Sequence, residues 1–487
     1  MGAAQARRAI AVVVQRIAGR QVQQQIQRAG RYGRPATPAQ PARPTQPARR
    51  CAIVGSNPPP TETPLTKKYT LSALASLTLA FSLPAPAQPL PTAAPESVGM
   101  SSERLRRIDA FFAGEIERNR VPGAVVAIAR QGKLVYFKAF GFADKAKGLP
   151  ASTDTIFQLA SMTKPMAAVG ALALTEQARL PLQSKLSDYL PAYAKVQVGV
   201  PTVDGKFTLE APKRPILIHD LFRHTSGLTY GGRPDGSSPI AALWPSGGAA
   251  STMGTAAEMA DKLATLPLVY QPGTVFEYSL SFDVLGAVVE KITGKPLGSH
   301  LAETVWGPLK MADTTFRLSE AQRARVARPL PQNPLDGKPQ SIAAIDKPPT
   351  FDCGGACAFG SIGDYIRFGQ MLLNGGSLDG QQVLSPATVQ LMTSNHLGTG
   401  IQNRVAAVEP HRDGYGFGLG VAVRLQPGLA AVPGNPGEYT WNGANGTGFF
   451  ADPQAQLVVA YGTAAPGELR KYYREQVQDL VYGALTK

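Results

Sequence analysis

Residues 157–165 of the sequence, FQLASMTKP, decide the fold, because they combine a serine and a lysine with the start of a helix. Pro165 is tolerated in an α-helix only near the first turn, so the stretch predicts a helix that begins at about Ser161. Lys164 follows three positions later, and on a helix these two side chains share a face. The free N–H groups of a helix start also stabilise negative charge. The stretch therefore predicts a serine nucleophile with an amine in reach, although a serine cap followed by a solvated lysine gives the same pattern.

The sequence lacks the motifs of the commonest hydrolases. No Gly-x-Ser-x-Gly pentapeptide occurs, and none of the five histidines lies in a His-Glu-x-x-His motif. A Ser-His-Asp enzyme or a metallohydrolase is therefore disfavoured, and we expect neither a metal nor a cofactor. His224 is interpreted as a structural residue at a helix end, and Asp188 as part of a helix boundary.

Further short segments follow in the order HTSGL (224–228), QPGT (271–274), YS (278–279), GG (354–355), MLLNGG (371–376) and WNG (441–443). Together with FQLASMTKP they resemble the motifs of the serine β-lactamase and penicillin-binding-protein superfamily, most closely those of family VIII carboxylesterases and class C β-lactamases. The resemblance covers about residues 95–487 and keeps the superfamily's order. It implies a β-lactamase/transpeptidase-like fold and a serine that forms an acyl-enzyme.

The resemblance implies three catalytic residues. Ser161 matches the nucleophile, and Lys164 matches the motif lysine that helps to take its proton. Tyr278 matches the tyrosine of the second motif, which is the general base or its partner. A phenol ionises at neutral pH only beside a cation, and Lys164 would be that cation. The sequence leaves open which of the two is the base.

The third motif implies an oxyanion hole. Trp441, Asn442 and Gly443 fall where β-lactamases have Lys-Thr-Gly on an edge strand, and the family VIII esterases often have Trp-x-Gly there. The backbone N–H groups of Ser161 and Ala444 would then bind the oxyanion, with Trp441 and Gly443 beside the substrate.

Two departures from the motifs bear on the substrate. Leu280 stands where the second motif, Tyr-x-Asn, has an amide that contacts the lysine and the substrate in relatives. Trp441 replaces a lysine, so a substrate carboxylate loses a charged hydrogen bond worth roughly 1.5–3 kcal/mol. We therefore expect a small neutral ester, lying on the apolar face of Trp441, to be hydrolysed through an acyl-enzyme on Ser161. The alternatives are a β-lactamase or D,D-peptidase-like amidase with a lactam or amide substrate, and a non-catalytic penicillin-binding or cell-envelope interaction protein.

Hydrophobic periodicity predicts an α/β (α+β) fold. Helical patterns begin at 101 and 161, cover 281–293 up to Gly294, and return at 469–484, while strand patterns cover 123–129, 134–142, 415–423, 438–441, 447–451 and 457–462. Because strands cluster at both ends, we expect an antiparallel sheet flanked by helices and built from N- and C-terminal parts. These parts are about 95–165 and 350–487, with a mostly helical insert at about 166–349.

The basic charge of the chain is concentrated in its first residues. The formal net charge is +15, but residues 1–68 hold 12 Lys and Arg against one acidic residue, and the rest holds 37 basic and 33 acidic residues. Nucleic-acid binding by the folded part is therefore disfavoured. Residues 1–64 are rich in Gln, Arg, Ala and Pro and are expected to be a disordered or untranslated tail.

A secretory signal is predicted after this tail. Two lysines, an apolar run over 69–83 and an Ala-Pro-Ala sequence predict a signal peptide at 65–87, with translation starting near Leu65 and the mature chain near Gln88. The protein is then expected to be exported to the periplasm or secreted by a bacterium, and to meet the membrane only through this signal. The alternative is an uncleaved membrane-anchoring helix.

Cysteine content gives one further expectation. Of the three cysteines, Cys51 lies in the tail, whereas Cys353 and Cys357 either pair in an oxidising compartment or remain buried thiols. Oligomeric state does not follow from the sequence.

Overall fold

The computed structural model of the protein describes residues 89–231 and 238–487, which belong to one unit, Ala80–Lys487. The predicted tail (1–64) and signal peptide (65–87) lie outside these residues and remain predictions. Within the two described ranges, no helix is both long enough and apolar enough to cross a membrane.

The strands of the described residues, in chain order, are β1 (Gly123–Arg130), β2 (Lys133–Asp144), β3 (Leu149–Pro150), β4 (Ile156–Gln158), β5 (Val198–Pro201), β6 (Phe207–Glu210), β7 (Phe359–Ser361), β8 (Ser377–Leu378), β9 (Gln381–Gln382), β10 (Tyr415–Phe417), β11 (Ala422–Arg424), β12 (Tyr439–Asn442), β13 (Thr447–Asp452) and β14 (Leu457–Gly462). The α-helices of the same residues are α1 (Ser102–Glu117), α2 (Thr163–Glu176), α3 (Ile218–Phe222), α4 (Gly247–Ala250), α5 (Ala256–Leu263), α6 (Ser281–Thr293), α7 (Leu297–Leu301), α8 (Glu320–Arg323), α9 (Ala343–Asp346), α10 (Ile362–Leu373), α11 (Pro386–Met392), α12 (Val405–Val408) and α13 (Leu469–Tyr482).

The two ends of the chain meet in the main sheet. Its strand order is β10-β11-β12-β13-β14-β1-β2-β3, and its neighbouring strands pair antiparallel. The pairing of β1 with β14 places Val126 opposite Tyr461. The prediction of an antiparallel sheet built from N- and C-terminal parts is therefore confirmed.

Both faces of the sheet are covered, so all eight residues of β1 are buried. On one face, Val126 lies in a core with Phe112 of α1 and Val477 of α13. On the other face, Val125 lies in a larger core with Phe368 of α10. Successive side chains of a strand point to opposite faces, so one strand fills two cores.

The helix that carries the lysine begins later than predicted. Residues 160–162 form a 3₁₀ turn, and α2 starts at Thr163 rather than at Ser161. Ala160 has a positive φ of 47°, so the chain bends sharply between β4 and the helix. Ser161 is therefore presented on a tight turn ahead of the helix instead of inside its first turn.

The strand predicted over 415–423 is wrong as a single element. The chain reverses after β10, and β11 returns antiparallel beside it. Gly420 in the turn has a φ of 92°, a conformation that glycine adopts without a steric penalty. A side chain at Gly418 would clash with the carbonyl of Met392. The other predicted helices and strands are confirmed within about two residues.

Replacement of Phe112 by alanine tests the core between the sheet and the terminal helices. The side chain is fully buried, and its ring centroid lies 5.5 Å from that of Phe140 and 6.2 Å from that of Tyr473. We expect Phe112→Ala to lower the free energy of unfolding in urea by about 3–5 kcal/mol. The control Leu335→Ala removes a side chain of which 55% is exposed and should change stability by less than about 0.5 kcal/mol. Equal losses of unfolding free energy in the two variants would contradict a stabilising role of this core.

Candidate active site

The structure brings the three predicted side chains together. The hydroxyl oxygens of Tyr278 and Ser161 lie 2.7 Å apart, and Lys164 Nζ lies 3.4 Å from Ser161 Oγ. Ser161 comes from the turn before α2, Lys164 from the first turn of α2, and Tyr278 from the segment that precedes α6. Ser161 and Tyr278 are half-buried, whereas Lys164 is completely buried.

The buried ammonium of Lys164 has three acceptors for its three N–H groups. Besides Ser161 Oγ, these are the carbonyl oxygen of Gly355 at 2.7 Å and the hydroxyl of Tyr230 at 3.2 Å. The nitrogen also lies 4.6 Å from the centroid of the Tyr278 ring, over which a cation is attracted. A buried charge is costly unless it is hydrogen-bonded, and this arrangement meets that requirement.

The end of β12 lies directly against the turn that carries the serine. The edge-strand position implied for the third motif is wrong, because β11 and β10 continue the sheet beyond β12. Gly443 N donates to Thr447 O at 2.8 Å, and Thr447 Oγ1 donates to Leu159 O at 3.1 Å. A side chain at Gly443 would clash with this same Leu159 carbonyl, so glycine allows the close approach. Ala444 follows on the exposed rim. Its N–H and that of Ser161 remain the predicted oxyanion donors.

Trp441 does not present the open aromatic face that we expected. Only 2% of the residue is exposed. The Arg412 guanidinium lies 4.7 Å from its ring, and the rings of Tyr278 and Phe417 each lie 5.2 Å away. Its indole Nε1 points to the hydroxyl of Tyr278 at 3.4 Å. The expectation is wrong because protein side chains enclose the indole ring, which leaves no open face for a substrate. The ring instead packs against Tyr278.

A disulfide closes the loop that accepts the lysine's hydrogen bond. Cys353 and Cys357 form a disulfide with a Cα–Cα distance of 5.3 Å, which decides between the two alternatives left by the sequence. Inside this loop, Gly355 O binds Lys164, and Ala356 O accepts a hydrogen bond from Gln158 Nε2 at 2.6 Å. The loop thus contacts both β4 and α2.

Three residues of the site were missed by the sequence analysis. Tyr230 lies two positions after the HTSGL segment, Gly355 acts through its backbone, and Asp283 lies five positions after Tyr278. Leu280, at the position of the amide in the Tyr-x-Asn motif, is fully buried. The signal available for Tyr230 was its closeness to a recognised segment, whereas a backbone acceptor leaves no signal in the sequence.

Two residues had been interpreted as structural. His224 is buried in the left-handed region with a φ of 55°, and its Nδ1 accepts a hydrogen bond from Ser279 N at 3.3 Å, which fixes the residue after Tyr278. Asp188 ends a 3₁₀ turn and accepts a hydrogen bond from Lys185 N at 3.1 Å. Both positions agree with the structural interpretation.

A buried ion network holds the end of β12. Arg474 binds Glu409 with one nitrogen and donates to Gly443 O at 2.7 Å with another. Burial raises the pKa of the Glu409 carboxyl, but the guanidinium groups of Arg474 and Arg412 outweigh this effect and hold the pKa at about 2. The network thus connects α13 to the glycine beside the candidate oxyanion hole.

No group of three or more His, Cys, Asp or Glu side chains in residues 89–231 and 238–487 is arranged to hold a metal ion.

A serine hydrogen-bonded to a phenol and to a buried lysine, at the end of an inner strand of an antiparallel sheet between helices, is the site of a serine hydrolase with the β-lactamase/transpeptidase fold. Comparison with known proteins gives the family. A family model described as Beta-lactamase matches residues 108–481, so the chain belongs to the Beta-lactamase family.

Relatives and solved structures agree with this assignment. Esterase EstB of Burkholderia gladioli is 32% identical over 370 residues, which are 72% of this chain and 88% of EstB. Protein Rv1367c of Mycobacterium tuberculosis is 36% identical over 345 residues, 70% of this chain and 84% of that protein. The solved structure of EstCE1, a hydrolase with promiscuous acyltransferase activity, has a TM-score of 0.64 at 30% identity, and the match covers 78% of this chain and 99% of EstCE1. The predicted fold class and superfamily are confirmed.

The Glu409 network predicts a specific loss of stability in acid. Because the pKa of Glu409 in the folded protein lies below the ordinary value of 4.5, its ionisation stabilises the fold above about pH 4.5, and this contribution is lost as the pH falls towards 2. We expect Glu409→Gln to have a lower free energy of unfolding than the wild type at neutral pH. In urea unfolding, this difference should become smaller between about pH 6 and about pH 3. In the control variant Glu117→Gln, at the exposed end of α1, the free energy of unfolding should depend on pH as it does in the wild type. If the stability difference between Glu409→Gln and the wild type did not change with pH, the role of the network would be contradicted.

Proposed function

We propose that the protein hydrolyses carboxylic esters through an acyl-enzyme on Ser161. The observation that carries the proposal is the 2.7 Å contact between Ser161 Oγ and the Tyr278 hydroxyl, beside the ammonium of Lys164. Two similar proteins support it, since EstB is an esterase and EstCE1 is a hydrolase.

The hydrogen bonds of Lys164 favour Tyr278 as the base. An ammonium group has three N–H donors, and Lys164 has three acceptors within reach. Ser161 Oγ lies 2.7 Å from the Tyr278 oxygen but 3.4 Å from Lys164 Nζ, so the phenol oxygen is the nearer acceptor for the serine proton. The lysine therefore acts as a cation that stabilises the phenolate of Tyr278, and the phenolate takes the proton.

In the proposed acylation step, Ser161, Tyr278 and two backbone N–H groups act together. Ser161 Oγ attacks the ester carbonyl carbon while its proton passes to the Tyr278 oxygen, and the N–H groups of Ser161 and Ala444 bind the oxyanion. The bond to the leaving alcohol breaks, and Tyr278 returns the proton to that alcohol. In the second step, water attacks the acyl-enzyme and gives a proton to Tyr278. The carboxylic acid leaves as Ser161 regains its proton.

The preference for esters over lactams follows from two uncharged side chains. Trp441 stands in place of a lysine that would bind a substrate carboxylate, and Leu280 stands in place of an amide. Both side chains are buried in an apolar core, so neither supplies a polar contact to an anionic substrate. A neutral ester requires neither contact.

Substrate assays with matched variants test this proposal. We expect hydrolysis of p-nitrophenyl butyrate and little or none of nitrocefin. Ser161→Ala should lower kcat by about 10⁴-fold or more, and Tyr278→Phe by about 10²–10⁴-fold.

Two controls separate chemistry from folding. Ser299→Ala removes an exposed hydroxyl of α7. Tyr193→Phe removes a buried hydroxyl that has no hydrogen-bond partner among the described residues. Both variants should keep wild-type kinetics. Undiminished ester hydrolysis by Ser161→Ala would refute the assigned role, nitrocefin turnover at an equal rate would favour the lactamase alternative, and no turnover of either substrate would favour a binding protein.

We also propose that the protein is exported with the signal peptide at 65–87. The Cys353–Cys357 disulfide supports export, because disulfides persist in oxidising compartments. N-terminal sequencing of the protein recovered from the periplasm or the medium of a bacterial host should find a start near Gln88. A purified protein that retains residues 65–87 would contradict cleavage and favour the membrane anchor.

A further inference from the structure

A buried carboxylate lies behind the catalytic lysine. Asp283 is in the first turn of α6, and only 5% of it is exposed. Its Oδ1 accepts a hydrogen bond from Gly355 N at 3.2 Å. Its Oδ2 is buried and has no hydrogen-bond partner in the part of the chain that the structure describes. Since an unsatisfied buried carboxylate is costly, its retention requires compensation by a positive charge.

The backbone of Gly355 connects this carboxylate to Lys164. Its N–H donates to Asp283, while its carbonyl accepts from Lys164 Nζ at 2.7 Å. A Cβ at this position would collide with Asp283 Oδ2, so only glycine lets the chain come this close to the carboxylate. The Cys353–Cys357 disulfide closes the loop on both sides of the glycine and limits its movement.

The electrostatics agree with this geometry. Burial raises the pKa of the Asp283 carboxyl to about 6, and the Lys164 ammonium opposes that rise. The carboxylate is therefore ionised at neutral and alkaline pH. Among the described residues, Tyr278 and Tyr230 lie beside Lys164 Nζ, and the Asp283 carboxylate interacts with its charge.

We propose that Asp283 is a positioning residue that holds Lys164 through the Gly355 backbone and stabilises the ammonium form of the lysine. The inference rests on the proposed esterase function. In this arrangement the carboxylate, the glycine and the disulfide loop act as one unit, because displacement of any of them moves the acceptor of the lysine. Asp283 itself does not touch the ester.

The test compares the pH dependence of kcat/KM for p-nitrophenyl butyrate in the wild type and in Asp283→Asn. The amide keeps the acceptor for Gly355 N but removes the charge. Without the negative charge the site becomes more positive and favours deprotonated forms, so both the acid and the alkaline limits should move to lower pH by about one unit. We also expect kcat to fall by about tenfold with KM unchanged, since the lysine acts in the chemical step.

The control is Glu290→Gln, which neutralises a half-buried carboxylate on the same helix. This carboxylate accepts a hydrogen bond from Leu297 N at 2.9 Å. Its pH limits should match those of the wild type. If Asp283→Asn does not fold, the profile is measured for Gly355→Ala, whose methyl group separates the carboxylate from the backbone. The limits should again move to lower pH.

The outcomes separate this inference from the proposed function. Wild-type ester hydrolysis with unchanged pH limits in a folded Asp283→Asn, or in Gly355→Ala where that variant is used, overturns the role of Asp283 and leaves the esterase proposal intact. A folded wild type with no ester hydrolysis overturns the proposed function and this role with it. A shift of both limits in Glu290→Gln as large as in Asp283→Asn would also overturn the inference, because the effect would then be general to the helix.

Discussion

A buried ammonium group has to find hydrogen-bond acceptors, and the rest of the site depends on how Lys164 does so. Its acceptors come from three separate places: the turn before α2, the loop after α3, and the disulfide loop before β7. These places are far apart in sequence, so only the complete fold compensates the charge. A shift in any one of them therefore reaches the serine through the lysine.

Much of the fold was predictable because its elements carry strong local patterns. The helix over Ser281–Thr293 ends at Gly294, whose φ of 69° is a typical helix stop, and β14 is a continuous apolar run between turns. The errors arose where a local pattern had two interpretations. Residues 415–423 form an apolar run that looks like one strand, and the reversal after Phe417 depends on contacts with Met392, which is distant in sequence.

The site divides in the same way. The sequence was sufficient to identify Ser161, Lys164 and Tyr278, because each lies in a short segment that resembles a known motif. The acceptor at Gly355 and the charge of Asp283 were not found, because a backbone carbonyl carries no side-chain signal and the approach of α6 to the loop exists only after folding. The sequence likewise identified the tryptophan of the third motif. It did not predict the burial of the ring, because the side chains that enclose it come together only in the folded protein.

The position of β1 between β2 and β14 has a consequence for how the polypeptide is made. While the ribosome is still adding the later residues, the hairpin of β1 and β2 exposes an unpaired edge with apolar side chains on both faces. The strand that covers this edge emerges only near the end of synthesis. A chain that ends before β14 leaves this edge uncovered, and an uncovered apolar edge is prone to pair with other chains.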